Sequence, residues 1–382
     1  MKIEASRIKD IGIRLGIVAA IVAVGFSTVR SLQGAYESEG QPFSVEILAE
    51  QEDVVWGFDF LPDGRIVFTE RDGQLRILDP GARSVQTVQG TPGVARAGQG
   101  GLLDVRVHPG FNENGWIYLT YSKTADQGMT TALGRGRLEG SELKDFRKLF
   151  SAWQPNRNNI HFGSRIEFDG SGKLFISVGD RNERHFAQDL RYHNGKILRL
   201  NEDGSVPGDN PFAQNPDARP EIWSYGHRNP QGLVKHPVTG ELWESEFGPR
   251  GGDEINVIRP GANYGWPVIT YGREYWGPKI GEGTEKAGME QPIAYYVPSI
   301  SPSGIAFYSG DAFPRWRGSL FVANLSGQHL RRLVIDENSK VVKEEELLDD
   351  LRMHFRHVRP GPEGYLYFST DDGKIARLVP NL

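Results

Sequence analysis

Pro62-Asp-Gly-Arg-Ile-Val-Phe-Thr69 sets the pattern on which the chain is built: a turn containing Gly, then a run of apolar and β-branched residues. The phrase returns as Asn114-Gly-Trp-Ile-Tyr-Leu-Thr120, Ser171-Gly-Lys-Leu-Phe-Ile-Ser177 and Thr239-Gly-Glu-Leu-Trp-Glu-Ser245. It closes the series as Arg317-Gly-Ser-Leu-Phe-Val-Ala323 and Glu363-Gly-Tyr-Leu-Tyr-Phe-Ser369. The glycines, Gly64, Gly115, Gly172, Gly240, Gly318 and Gly364, permit the positive φ of a tight hairpin, and each following run suits a buried strand. Hairpin units 46 to 78 residues apart imply an all-β, six-bladed β-propeller with four-stranded blades. A β-sandwich would carry turn signals about every 8–12 residues without this longer period. Ring closure is expected to pair residues 43–48 with 374–379, which removes a free sheet edge. Residues 339–351, rich in charge, read as solvated loop or a short turn.

Composition agrees with many short strands and turns: 382 residues hold 47 Gly and 23 Pro, with 38% hydrophobic residues. A formal net charge of −5 gives no electrostatic case for nucleic acid. The chain has no Cys, which excludes disulfides, thiolate catalysis and zinc–thiolate sites. Lys2, Arg7, Lys9 and Arg14 precede an apolar run at 15–29, followed by Arg30. This fits a secretory signal within residues 1–35, or an uncleaved signal anchor, and either exports the domain at 43–382 to the periplasm or beyond. Gly34-Ala35 is the nearest approach to a cleavage site, and any membrane contact is expected only through this segment.

Residues 221–266 carry most of the candidate chemistry, in loops too rich in Gly, Pro and charge to be core. Arg228 and Asn229 sit in Gly226-His-Arg-Asn-Pro-Gln-Gly-Leu, where Pro230 stiffens the turn that presents them. The plainer reading is an arginine paired with a neighbouring blade, and His227 reads as an exposed turn histidine. Gly248-Pro249 and Asp253-Glu254 offer hard oxygen atoms of the kind calcium takes, although Asp-Glu in a loop is also an ordinary solvated pair. His161 enters the strand of the third repeat from a polar loop. It is either a general base with an unperturbed pKa near neutrality or a histidine hydrogen-bonded at a strand start. Gln99 lies in Gly98-Gln-Gly-Gly-Leu-Leu, which lacks the Lys-Ser/Thr of a phosphate loop.

These phrases, in chain order, resemble one family: the soluble quinoprotein glucose/sorbosone dehydrogenases, most closely their aldose sugar dehydrogenase branch. The resemblance runs from about Val45 to the C-terminus. It implies that His161, in His-Phe-Gly-Ser-Arg-Ile, is the catalytic base and that Arg228 stabilises charge on a quinone oxygen. It implies that Gln99, Arg228, Asn229, Tyr275 and Arg356 touch pyrroloquinoline quinone (PQQ). One calcium is implied on the carbonyls of Gly248 and Pro249, and a second near Glu254 and Tyr264. Asp253 is left to orient a substrate hydroxyl or the base.

Two positions depart from the family pattern. Ser326 stands where a lysine is usual, and His354 opens His-Phe-Arg356 where an Arg-x-Arg pair is usual. PQQ carries three carboxylates, and each charge-assisted bond lost costs roughly 1.5–3 kcal/mol. Arg331, Arg332, Arg352 and Arg359 are candidate replacements. The expected function is a PQQ- and calcium-dependent periplasmic dehydrogenase that oxidises aldose sugars to lactones and passes electrons to a downstream acceptor. The alternatives are a non-enzymatic propeller that binds glycans or a protein, with a degenerate quinone site, or a calcium-dependent lactonase.

Overall fold

The computed structural model describes residues 31–381. Six sheets form the expected propeller, each antiparallel. Blade 1 comprises Val55–Phe60, Ile66–Glu70, Leu75–Asp79 and Ser84–Val88, and blade 2 spans Leu102–Val107 to Glu142–Ser151. Blade 3 runs from Ile166–Phe168 to Ile222–Tyr225, and blade 4 from Pro230–Lys235 to Ala294–Tyr296. Blade 5 runs from Pro302–Phe307 to Val341–Leu347. In every blade the first strand lies innermost, against the first strands of its neighbours. The repeat phrase forms the hairpin and second strand, and its glycines all have positive φ, from +67° at Gly115 to +89° at Gly364.

Blade 6 closes the ring. Its strands Phe355–Pro360, Leu366–Thr370 and Lys374–Pro380 take Gln41–Glu50 as the fourth, with Phe43 opposite Pro380 and Glu50 opposite Lys374. The closure expected from sequence is therefore present. A fifth strand, Ser31–Ser38, pairs outside Gln41–Glu50, so the fold takes in residues ahead of 43 and the Gly34-Ala35 point lies within a strand. The apolar run at 15–29 lies outside the described residues. Among the described residues no helix is long and apolar enough to cross a membrane. Residues 339–351 differ from the loop expected: Val341–Leu347 is the outer strand of blade 5. Its charged side chains are cross-strand partners, with Arg331 on Glu344 and Glu346 and Arg332 on Glu345.

The core lies between blades, where inward side chains of adjacent sheets interdigitate. Trp243, Ile255, Phe307, Leu320 and Val322 fill the space between blades 4 and 5. The hydroxyl that ends the repeat phrase adds a polar stitch. Thr69 donates to Leu103 O, Thr120 to Ser164 O (2.6 Å), Ser177 to Pro230 O (2.9 Å), Ser245 to Ser303 O (2.6 Å) and Ser369 to Val55 O (2.8 Å). Each bond runs from a second strand to the innermost chain of the next blade. Only the fifth repeat, which ends in Ala323, lacks the hydroxyl. These carbonyls are buried, so each needs its partner. Ser177→Ala, which unties blade 3 from blade 4, is expected to lower unfolding free energy by about 1–3 kcal/mol. Urea titration followed by tryptophan fluorescence measures this, and an unchanged midpoint would show that the stitch is dispensable.

Candidate active site

All innermost strands begin, and all second strands end, at one face of the ring. Loops leaving this face bring His161, Asp180, Arg228 and Gly248 together. His161 is buried, with φ +56°, and its backbone N–H donates to Gln99 Oε1 at 2.7 Å. Its Nδ1 lies 2.7 Å from Asp180 Oδ1. Asp180 also accepts from Trp266 Nε1 (2.8 Å) and from the backbone N–H of Asn182 (2.8 Å). Burial pushes the His161 imidazole below its ordinary range; Asp180 opposes that shift and Arg228 reinforces it. Burial alone would raise the Asp180 carboxyl, but the bond from His161 and the charges of His161 and Arg228 hold it below its usual range. A neutral imidazole therefore donates Nδ1–H to an ionised carboxylate and leaves Nε2 as an acceptor.

Asp180 was not singled out from sequence. The available signal was its place three residues past Ser177, at the end of the third repeat strand, where Glu70, Glu246 and Asp371 follow the closing Thr or Ser by one or two residues in other repeats. Asp253, which the resemblance left to orient a substrate hydroxyl or the base, does not bond His161. Its Oδ1 accepts from Gly248 N–H (2.8 Å), and its Oδ2 accepts from Ser299 Oγ (2.6 Å), Ile300 N–H (2.6 Å) and Ser301 N–H (2.7 Å). Four donors saturate it, so it organises the loop that carries Gly248 and Pro249 rather than meeting the base.

Arg228 is nearly buried and donates Nη1 to Phe247 O (2.9 Å) and Gly248 O (2.7 Å). Its backbone N–H donates to Glu246 Oε2 at 2.5 Å, and its guanidinium lies 5.5 Å from the Trp266 ring centre. Arg228 and the Gly248 carbonyl therefore converge on one point. His227 corrects the sequence reading: it is fully buried, bonded to Ser224 Oγ (2.8 Å) and facing Glu246 Oε1 (3.4 Å).

A cavity of about 290 Å³ opens on the axis at this face, walled by Trp56, Arg71, Gln99, Gln231, Arg356 and Asp371 among others. Gln99 and Arg356 thus share the lining of one cavity. Asn229 lies beneath, its Oδ1 accepting from Gly163 N–H (3.2 Å) and Gln231 Nε2 (3.3 Å). Tyr275 does not line this cavity; its loop holds it 65% exposed. Ser326 bonds Ser301 Oγ (2.8 Å), and His354 lies 3.3 Å from Gln328 Nε2; both are exposed beside Leu325, which does reach the cavity. The cations offered as replacements are elsewhere: Arg331 and Arg332 pair on blade 5, Arg359 pairs with Asp59 (2.9 Å), and Arg352 is exposed.

Behind Arg228, Glu244, Glu246 and His227 bring ligand atoms within 4.8 Å of one another, all buried. Asn256 Nδ2 joins Glu244 Oε2 (3.2 Å) to Glu254 Oε2 (3.3 Å). Burial and the Glu246 charge hold the Glu244 and Glu254 carboxyls well above their usual range. Tyr264 stacks on His227 with centroids 4.7 Å apart, but its hydroxyl turns away, donating to Val257 O (2.6 Å). Glu254 is thus linked to the cluster through Asn256, whereas the Tyr264 hydroxyl turns away from it.

The profile of the glucose/sorbosone dehydrogenase family matches residues 52–377. The chain belongs to this family. It is 44% identical over 346 residues to the aldose sugar dehydrogenase YliI of Escherichia coli, covering 88% of this chain and 93% of that one. The crystal structure of the soluble E. coli aldose sugar dehydrogenase in its apo-form superposes with a TM-score of 0.86 at 42% identity, covering 89% of this chain and all of that one. The PQQ-bound aldose sugar dehydrogenase of Streptomyces coelicolor gives 0.73 at 27% identity, over 89% of this chain and 98% of that one.

For a glucose/sorbosone dehydrogenase, the residues here fit both groups that the sequence suggested. Toward a quinone, Asn229 Nδ2 is buried with no protein partner, beside a polar cavity on the axis. Toward a hard cation, Glu244 Oε1 and Asn256 Oδ1 are buried oxygens without partners at or beside the cluster of His227, Glu244 and Glu246. The dyad itself makes a direct prediction. Asp180 favours the charged imidazole, so Asp180→Asn should move the His161 titration further down in pH. NMR of the ring protons measures it, and an upward move would refute this electrostatic assignment.

Proposed function

We propose that this protein is a PQQ- and calcium-dependent dehydrogenase that oxidises aldose sugars at the anomeric carbon to lactones. The observation that carries the reading is the His161–Asp180 dyad set beside Arg228 and bonded to Gln99, which lines the axial cavity. The quinone would supply the hydride acceptor for this oxidation and the route for electrons to an external acceptor. His161 Nε2 is free to take the anomeric hydroxyl proton, because Nδ1 is committed to Asp180. Asp180 holds the tautomer and stabilises the imidazolium as the proton arrives. Trp266 and Asn182 keep Asp180 in place through its two oxygens. Arg228 directs positive charge toward the point where negative charge develops, and Asn229 Nδ2 offers a donor there.

Calcium would be held by the Glu244 and Glu246 carboxylates, with Glu254 linked to them through Asn256. At the second place that the resemblance implies, the Gly248 and Pro249 carbonyls, the Gly248 oxygen already accepts from Arg228 and would have to be shared. The basic leader and the apolar run at 15–29 support export to the periplasm, as a cleaved signal or an anchor. The likeness to aldose sugar dehydrogenases supports an aldose as substrate.

His161→Asn tests the base. Asparagine tolerates the left-handed backbone, so the loop should survive while turnover with an aldose and a redox dye falls about 10²–10⁴-fold. Turnover kept within a factor of a few would exclude His161 as the base. The cation reading has a separate test in stability. Without a cation the folded state keeps protons on Glu244 and Glu254 that the unfolded chain loses above its ordinary value of 4.5, so stability falls as pH rises. Calcium replaces those protons. Added calcium should therefore raise Tm more at about pH 8 than at about pH 5.5, and calorimetry showing no gain at either pH would remove the site.

A further inference from the structure

The axial cavity contains a cation that no protein group neutralises. Of its charged lining residues, Arg356 and Asp371 cancel: Nε lies 2.6 Å from Oδ1 and Nη2 lies 2.7 Å from Oδ2. The remaining Arg356 donor, Nη1, goes to Gln231 Oε1 at 3.0 Å. Arg71 is left. It is half-buried, and its side chain makes no hydrogen bond or ion pair with any described residue.

Its backbone, by contrast, is tightly held. Arg71 N–H donates to Val54 O (3.0 Å), and its carbonyl accepts from Leu102 N–H (3.2 Å). Gly101, at φ +158°, presses so closely that a Cβ there would stand 1.8 Å from Arg71 O and 2.7 Å from Arg71 Cγ. Gly101 belongs to the loop that presents Gln99, and Gln99 lines the cavity together with Arg71. Main chain and stem are thus pinned while the guanidinium keeps its full donor capacity toward the void. A partly desolvated guanidinium without a counter-ion is a ready partner for a planar carboxylate, which it binds through two parallel bonds.

We propose that Arg71 is a cofactor-binding residue, supplying to a quinone carboxylate the cationic contact that Ser326 and His354 no longer provide. The inference rests on the PQQ reading above. It explains how this chain keeps an anion-accepting cavity although Arg331, Arg332 and Arg359 are committed elsewhere. Ser326 sits beside Leu325 on the same rim, so a cation introduced there can stand in for Arg71.

The test is equilibrium binding, read without turnover. Full-length protein with calcium is titrated with PQQ, following quinone absorbance and the quenching of tryptophan fluorescence, since Trp56 walls the cavity. Arg71→Gln should weaken binding by about 10–100-fold, the worth of a charge-assisted bond. Ser326→Lys in that background should recover most of the loss. A second measurement uses the wild type alone, with the PQQ trimethyl ester as probe: the acid should bind about 10-fold or more better than the ester, and Arg71→Gln should shrink that preference. Wild type that binds PQQ tightly, with Arg71→Gln and the ester equal to it, would overturn the role of Arg71 and leave the quinone reading standing. Wild type that binds no PQQ would overturn the quinone reading itself, and this inference with it.

Discussion

The guanidinium of Arg165, buried on the propeller axis, is the contact on which the arrangement of the other parts depends. It belongs to blade 3, yet it donates to Asp104 Oδ1 in blade 2 (2.9 Å) and to Gln231 O in blade 4 (2.9 Å). It also meets His357 Nδ1 in blade 6 (3.1 Å) and lies 4.2 Å from the Trp56 ring centre in blade 1. Burial and the charges of Arg165 and Arg106 hold His357 far below its ordinary range. It is therefore neutral, with a lone pair for Arg165 and for Phe58 N–H (3.3 Å). A buried ion pair contributes little net stability, but leaving one partner alone costs about 3–5 kcal/mol. The hub therefore acts as a selector of register: blades can pack only where Asp104, Gln231 and His357 all reach one point.

That register carries directly into the site. Gln231, whose carbonyl is held by Arg165, spans Asn229 and Arg356 through its side chain. Ser177, which ends the third repeat, fixes Pro230 immediately after Asn229. Asp180 follows the same strand three residues later, and its backbone N–H bonds the Arg228 carbonyl at 2.7 Å. His161, Asp180 and Arg228 thus hang from one inter-blade junction, which keeps their separation within hydrogen-bond tolerance.

The opposite end of the axis shows what a cavity alone is worth. It holds a larger space, about 730 Å³, lined by Asp59, Arg106, Glu167 and Arg359. Its charges answer one another: Arg106 meets Glu167 (3.2 Å) and Asp59 (3.6 Å), and Arg359 meets Asp59 (2.9 Å). Burial outweighs the opposing charge of Arg106 and leaves the Glu167 carboxyl raised to about 7. The face that carries His161 instead leaves the whole Arg71 guanidinium and Asn229 Nδ2 without partners among the described residues.

The repeat phrase determined the blade number by itself, because hairpin glycines and alternating strands are local properties read within eight residues. Closure by residues 43–48 was equally legible, since an unpaired strand at each end of the series has one economical partner. His161, Arg228, Gln99 and Arg356 were recognisable from their phrases, and the structure gathers them at one face. Tertiary structure decided the rest. Asp180 reaches the base, and Asp253 does not, because the direction of a loop carboxylate follows from donors 46 to 48 residues away in sequence, at Ser299 to Ser301. His227 is buried, and Glu244 and Glu246 join it, because alternate residues of one strand face the same side only once the strand is paired. Which arginine is left free is settled last of all, for it depends on every carboxylate in the fold having already chosen its partner.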